Sequence, residues 1–199
     1  SNDMTFVERG LPNVFAPGYS WGAKLNNAFF DERATLAVGA FRASTESGTM
    51  ASSNDWNLTT RATVLPLYDG DDKLFHLGTS YSFRLPEAEG PGGNNNNRIR
   101  FRERPELETN EFFVNTGRFP VNLENRLGFE GAAVYGPFSA QAEYIQTWLD
   151  KPNDLSETGY LYGGYGYVSY FLTGEHRNYG KFSGEFKEVR PKENFSIKD

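Results

Sequence analysis

Apolar and polar residues take turns along most of this chain. The clearest run is 75–85. Phe75, Leu77, Thr79, Tyr81, Phe83 and Leu85 alternate with His76, Gly78, Ser80, Ser82 and Arg84. A period of two puts the first set on one face of a β-strand and the second on the other. The same alternation predicts strands over 19–29, 34–42, 56–65, 123–135, 138–148 and 165–172. Trp56, Leu58, Ala62 and Val64 share one face against Asn57, Thr59, Arg61 and Thr63, and Pro66 is expected at that strand's end. Leu127, Phe129, Gly131, Ala133 and Tyr135 share another.

The punctuation between these runs has a rhythm. Asp31-Glu32, Asp69-Gly70-Asp71-Asp72 and Gly136-Pro137 read as short turns. Residues 43–55, 86–97 and 150–158 read as long polar loops. Aromatic residues gather near strand ends, among them Trp56, Tyr68, Tyr135, Phe138 and Trp148. Strands of about ten residues, polar on one face and apolar on the other, with aromatic girdles and long loops at one end, are the pattern of a transmembrane β-barrel. The predicted fold class is therefore all-β, an antiparallel up-and-down barrel with about eight to nine strands in this chain, and residues 1–199 form one barrel domain or segment. A soluble β-sandwich also alternates and is the main competing architecture.

Composition supports the first architecture. Hydrophobic residues make up 38% of the chain, yet aromatics alone make up 16%, and mean hydropathy is −0.61. The absence of cysteine removes disulfides, thiolate metal sites and a cysteine nucleophile. Two distant histidines, His76 and His176, have no metal-type spacing. A net charge of −6 argues against nucleic acid. No apolar run is long enough for a transmembrane helix, which says nothing against crossing by strands. Ser1-Asn2, with no secretory signal, reads as the start of a processed or truncated chain.

Against that negative balance stands Arg98-Ile99-Arg100-Phe101-Arg102-Glu103-Arg104-Pro105. As a strand it puts four arginines on one face, roughly 6.6–7 Å apart, with Ile99 and Phe101 opposite. In water such neighbours repel by only about 0.6 kcal/mol. In a confined space the repulsion grows, and counter-anions would offset it. The plainer reading is a solvated edge strand whose charges discourage edge pairing.

Arg100 through Glu106, Val134 through Tyr144 and Ser169 through Arg177 resemble the phosphate-selective porin O and P family of bacterial outer membranes. Glu8-Arg9-Gly10-Leu11-Pro12, Phe41-Arg42 and His76-Leu77-Gly78 extend the resemblance across nearly the whole chain, in the family's order. It implies a sixteen-stranded barrel, assembly as a homotrimer, outer-membrane lipid around it, and passage of phosphate or other inorganic anions along a row of arginines. It also implies that Arg98, Arg100, Arg102 and Arg104 are such a row. Guanidinium groups suit the task because they stay charged and match phosphate oxygens in a fork. Several weak sites in series let an ion enter and still leave. Eight to nine strands are about half of such a barrel, so a piece of a larger barrel is expected.

Arg61, Arg84 and Arg126 lie on the polar faces of their strands and are candidate additions to the row, as is Lys24 on a similar position. Glu124, Glu130 and Glu143 are placed to pair with them. The leading expectation is a passive anion channel with no catalytic residue, cofactor or metal. The alternative is a soluble β-domain that binds an anionic ligand on its arginine strand, and a structural surface protein is the third reading. The apolar face opposite the arginines separates them, because a barrel needs detergent for Phe75, Leu77, Tyr81 and Phe83 while a sandwich buries them.

Overall fold

The computed structural model describes residues 11–15, 20–43, 56–86, 98–104, 111–150 and 159–192. A short 3-10 helix spans Leu11–Phe15. Seven long strands follow as one antiparallel sheet: β1 (Ser20–Phe29), β2 (Ala34–Ala43), β3 (Trp56–Tyr68), β4 (Lys73–Leu85), β9 (Leu123–Tyr135), β10 (Phe138–Asp150) and β11 (Gly159–Tyr170). Six two-residue strands pair off separately: β5 (Arg98–Ile99) with β8 (Phe119–Pro120), β6 (Arg102–Glu103) with β7 (Val114–Asn115), and β12 (Tyr179–Gly180) with β13 (Glu185–Phe186). The long strands are neighbours in chain order, so the topology is up-and-down, as expected. Among the described residues β1 and β11 are the edges, and the sheet is open. It holds seven long strands, where periodicity predicts eight or nine. The difference is the arginine segment and the tail, which fold onto the sheet instead of joining it.

Each long strand has 10 to 13 residues, enough to cross an outer membrane when tilted. Their two faces differ. One is bare and apolar: Trp21, Leu25, Leu58, Phe75, Leu77, Phe129, Tyr162 and Val168 all lie exposed on it. Exposed apolar surface on this scale marks contact with lipid or another protein. The other face is polar and partly covered, with Asn57, Thr63, His76, Glu124 and Thr147 buried on it. Hydroxyl and amide groups satisfy one another there. Asn57 Oδ1 accepts from Ser82 Oγ at 2.6 Å and Thr59 Oγ1 at 3.1 Å.

Pro66 does not end its strand. β3 runs on to Tyr68, and the register slips between Val64 and Leu67 in a bulge. Proline has no N–H for the ladder, and the bulge removes the need for one.

Two small cores attach the covering pieces. Near the long-loop ends, Ile99, Phe101 and Val121 pack with Phe15 and Leu149, and with Ile145 and Leu161 beside them. Near the short-turn ends, Tyr179 packs with Leu65, Leu74 and Val134, flanked by Tyr68 and Phe186.

Candidate anion path

The arginine segment lies between β4 and β9 in the chain but stays out of the sheet. It runs antiparallel to its own return: Arg98 faces Pro120, Ile99 faces Phe119, Arg102 faces Asn115 and Glu103 faces Val114. Two residues lie between Ile99 and Arg102, and three between Asn115 and Phe119. The extra residue is absorbed by a bulge where Gly117 takes φ +67°, a conformation glycine adopts without penalty. Thr116 pins the ribbon. Its backbone N–H reaches Phe101 O at 3.0 Å, and its Oγ1 accepts from Phe101 N at 3.0 Å.

The alternation read from the sequence survives this change of context. Ile99 and Phe101 are buried against the sheet at 6% and 5% exposure. Arg100, Arg102 and Arg104 are exposed on the ribbon's other side. Their guanidinium carbons sit 5.7, 4.8 and 4.5 Å from the centre of the Phe112 ring. A π-face attracts a cation, so one aromatic ring offsets part of the repulsion within the row. Arg100 Nε also donates to Asn115 Oδ1 at 3.2 Å. Arg98 holds its place in the β5–β8 pair, and its side chain lies outside the described residues, as does Pro105.

The arginines on the sheet are in a different state. Arg84 and Glu124 face each other across β4 and β9. Glu124 is 1% exposed, Arg84 Nη1 lies 3.6 Å from its Oε2, and Arg126 donates to its Oε1. Further toward the short turns, Glu130 Oε1 accepts from Arg61 Nε at 3.0 Å and sits 3.1 Å from His76 Nε2. An ionised carboxylate only accepts, so Nε2 carries the proton in this pair. In a neutral ring Nδ1 then accepts from Tyr179 O–H, 2.6 Å away. Arg61 also donates to Ser183 O and Gly184 O, at 3.3 and 2.7 Å. It thereby ties the tail hairpin to the sheet. Gly184, at φ +65°, brings its backbone so close that a Cβ would fall 2.7 Å from Thr63 Oγ1. Across the hairpin Arg177 donates to Tyr167 O–H and lies over the Phe186 ring at 4.5 Å. Burial raises the Tyr179 hydroxyl above its ordinary pKa.

Lys24 is exposed on the polar face, in one cross-strand row with Gly39, Thr59, Ser82 and Arg126. Glu143 departs from expectation. It accepts from Gln141 Nε2 at 3.1 Å in place of an arginine. The candidate arginines therefore form three groups: a ribbon row, the Arg84–Glu124–Arg126 cluster at the ribbon's base, and the Arg61–Glu130–His76 seat of the hairpin. Phe112, Tyr179 and Arg177 carry no signal in the alternation, because their partners lie in distant segments. Among the described residues no cluster of acidic residues and histidines could hold a metal ion.

Comparison with known proteins agrees with this architecture. The family profile described as phosphate-selective porin O and P matches residues 1–195. An uncharacterized protein of Caulobacter vibrioides is 31% identical over 140 residues, covering 70% of this chain and 26% of that protein. Porin O of Pseudomonas aeruginosa is 26% identical over 190 residues, covering 85% of this chain and 40% of that porin. The matches thus take in well under half the length of either relative. A profile match over nearly the whole chain, on an up-and-down sheet with a bare apolar face, settles the family: the chain belongs to the phosphate-selective porins O and P, β-barrel proteins of the bacterial outer membrane.

Proposed function

We propose that this chain supplies wall strands and an inward-folded arginine ribbon to a passive diffusion pore that favours anions such as phosphate or polyphosphate. One observation carries the reading. Arg100, Arg102 and Arg104 are exposed together on one side of a ribbon whose other side is buried against the polar face of the sheet. In a closed barrel the polar face is the lumen, so the arginine heads stand in the path of a passing ion. Guanidinium forks bind phosphate oxygens, and three weak sites in a row allow passage without trapping. Arg98 precedes the row in sequence, on the same alternation. Lys24, Arg84 and Arg126 border the path from the wall. Arg61 contributes mainly by seating the hairpin.

The bare face meets outer-membrane lipid, and assembly as a homotrimer follows the family resemblance. The pore acts by diffusion and carries out no catalysis.

Single-channel recording in a planar bilayer, with phosphate titrated into chloride, tests the reading. Discrete anion-selective steps that phosphate blocks, with block weakened about tenfold in Arg102→Ala, are expected. A loss of tenfold is the size of one charge-assisted contact to a partly desolvated anion. Non-selective steps, or block that ignores Arg102, would sink the reading. A protein that stays soluble and monomeric without detergent would favour the anion-binding β-domain.

A further inference from the structure

We propose that Glu124 is a specificity-determining residue of this path: a buried carboxylate beside two arginines, which weakens their hold on phosphate enough for the ion to leave. The proposal rests on the pore reading above.

Burial within the cluster is uneven. Side chains of Arg84 and Arg126 keep 31% and 14% of their surface, while that of Glu124 keeps 2%. Both arginine side chains therefore keep some surface open, while the carboxylate keeps almost none. The cluster sits where the arginine ribbon rejoins the sheet. Glu124 follows the return at Val121, and Arg84 faces it across β4 and β9. Leu149, opposite Glu124 in the β9–β10 register, belongs to the apolar seat under the ribbon. The cluster thus adjoins the apolar seat of the ribbon.

The cluster is not built as a closed brace. Among the described residues, three buried polar atoms here lack a hydrogen-bond partner: Arg126 Nε, Thr147 Oγ1 and Glu124 Oε2, the last lying 3.6 Å from Arg84 Nη1. Thr147 is fully buried and opposite Arg126 in register. An ion cluster kept for stability alone would be expected to satisfy such atoms, since each unsatisfied one costs free energy. The carboxylate offsets one positive charge in a site of low dielectric. Without it the site would be one charge more positive, and phosphate would bind more tightly and leave more slowly. A conducting site has to avoid that state.

The test is phosphate block of chloride current through the porin purified from outer membranes. Glu124→Gln should lower the half-blocking phosphate concentration on the order of tenfold. That is the effect of one unit charge at roughly 12 Å in an effective dielectric of about 20. Glu124→Asp should leave it within about twofold, and so should Glu124→Gln combined with Arg126→Gln, which restores the native net charge of the site. A brace predicts the reverse, with a loosened ribbon and weaker block. Weaker or unchanged block in Glu124→Gln would overturn the proposal while leaving the pore reading intact. Absence of phosphate block in the native pore would overturn the pore reading itself. Should Glu124→Gln not fold, the double variant is compared with Arg126→Gln alone. Tighter block in the double variant supports the proposal, and equal or weaker block overturns it.

Discussion

The arginines of the ribbon and those of the sheet come from the same kind of sequence, every second residue of an extended run, yet they end in opposite situations. Arg100, Arg102 and Arg104 gather round the Phe112 ring with exposed heads. Arg61, Arg84 and Arg126 lie against Glu130 or Glu124. The difference lies in what faces them. On the sheet a carboxylate reaches each cation, from the facing residue for Arg84, from two positions along the same strand for Arg126 and from two strands away for Arg61, and ion pair and hydrogen bonds fix the side chain. On the ribbon an aromatic ring and an amide stand beside the row, and the side chains stay exposed. A ring offsets part of the repulsion within the row. Position on a polar face therefore does not say whether an arginine is drawn onto a carboxylate of the sheet or stays exposed.

Charge reversal should divide the two groups most sharply. Arg102→Glu is expected to abolish phosphate block, a loss well beyond tenfold, with little change in thermal stability in detergent. Arg61→Glu is expected to do the opposite, placing two carboxylates together and losing the hairpin's anchor, seen as a large drop in the unfolding midpoint. Equal loss of block from both would erase the distinction.

A gentler cut at the hairpin's seat is Glu130→Gln. It leaves Arg61 and His76 without their shared anion, and a cost of about 1–3 kcal/mol is expected in chemical unfolding. Phe112→Leu keeps the bulk and removes the ring. Three guanidiniums lose a cation–π partner worth about 0.5–1 kcal/mol each at exposed sites. Phosphate block should therefore weaken several-fold as the row spreads, with the fold retained. Gly117→Ala forces a side chain into φ +67°, and about 1 kcal/mol of lost stability is expected by the same unfolding assay.

The smallest effect is on pH. The Thr173 hydroxyl and the Lys192 backbone N–H hold the Glu175 carboxyl below its ordinary value of 4.5. A carboxyl depressed in the folded state adds stability above its unfolded pKa and loses it as pH falls through the folded one. The native unfolding midpoint should fall with acid below about pH 4.5, and Glu175→Gln should flatten part of that slope.

The sheet was the legible part of this molecule. Period-two alternation marks β9 at its observed bounds, Leu123–Tyr135, and places β1 to β4 within a few residues, because one face must be apolar and the other polar. The polar faces of Arg61, Arg84 and Arg126 follow from the same rule. The rule cannot say whether an extended run joins the main sheet. Arg98 to Arg104 alternates like a wall strand, but its partner is 111–121, a stretch that looks irregular because its pairing is broken by Gly117. Nor can alternation reveal ties such as Arg61 to Ser183, 122 residues apart, or Arg61 to Glu130, 69 apart. Those depend on which way the tail turns after β11, decided by Tyr179 finding Leu65, Leu74 and Val134. Pro66 misled for a related reason, since a bulge lets a strand pass through it.

The most direct test of the central claim is the reversal potential of the purified pore under a chloride gradient. Native protein is compared with a variant carrying Arg100→Gln, Arg102→Gln and Arg104→Gln together. The account predicts strong anion preference in the native pore and its loss in the variant, with oligomeric state and conductance retained. An unchanged reversal potential in the folded variant would show that the ribbon's arginines do not set the path's selectivity.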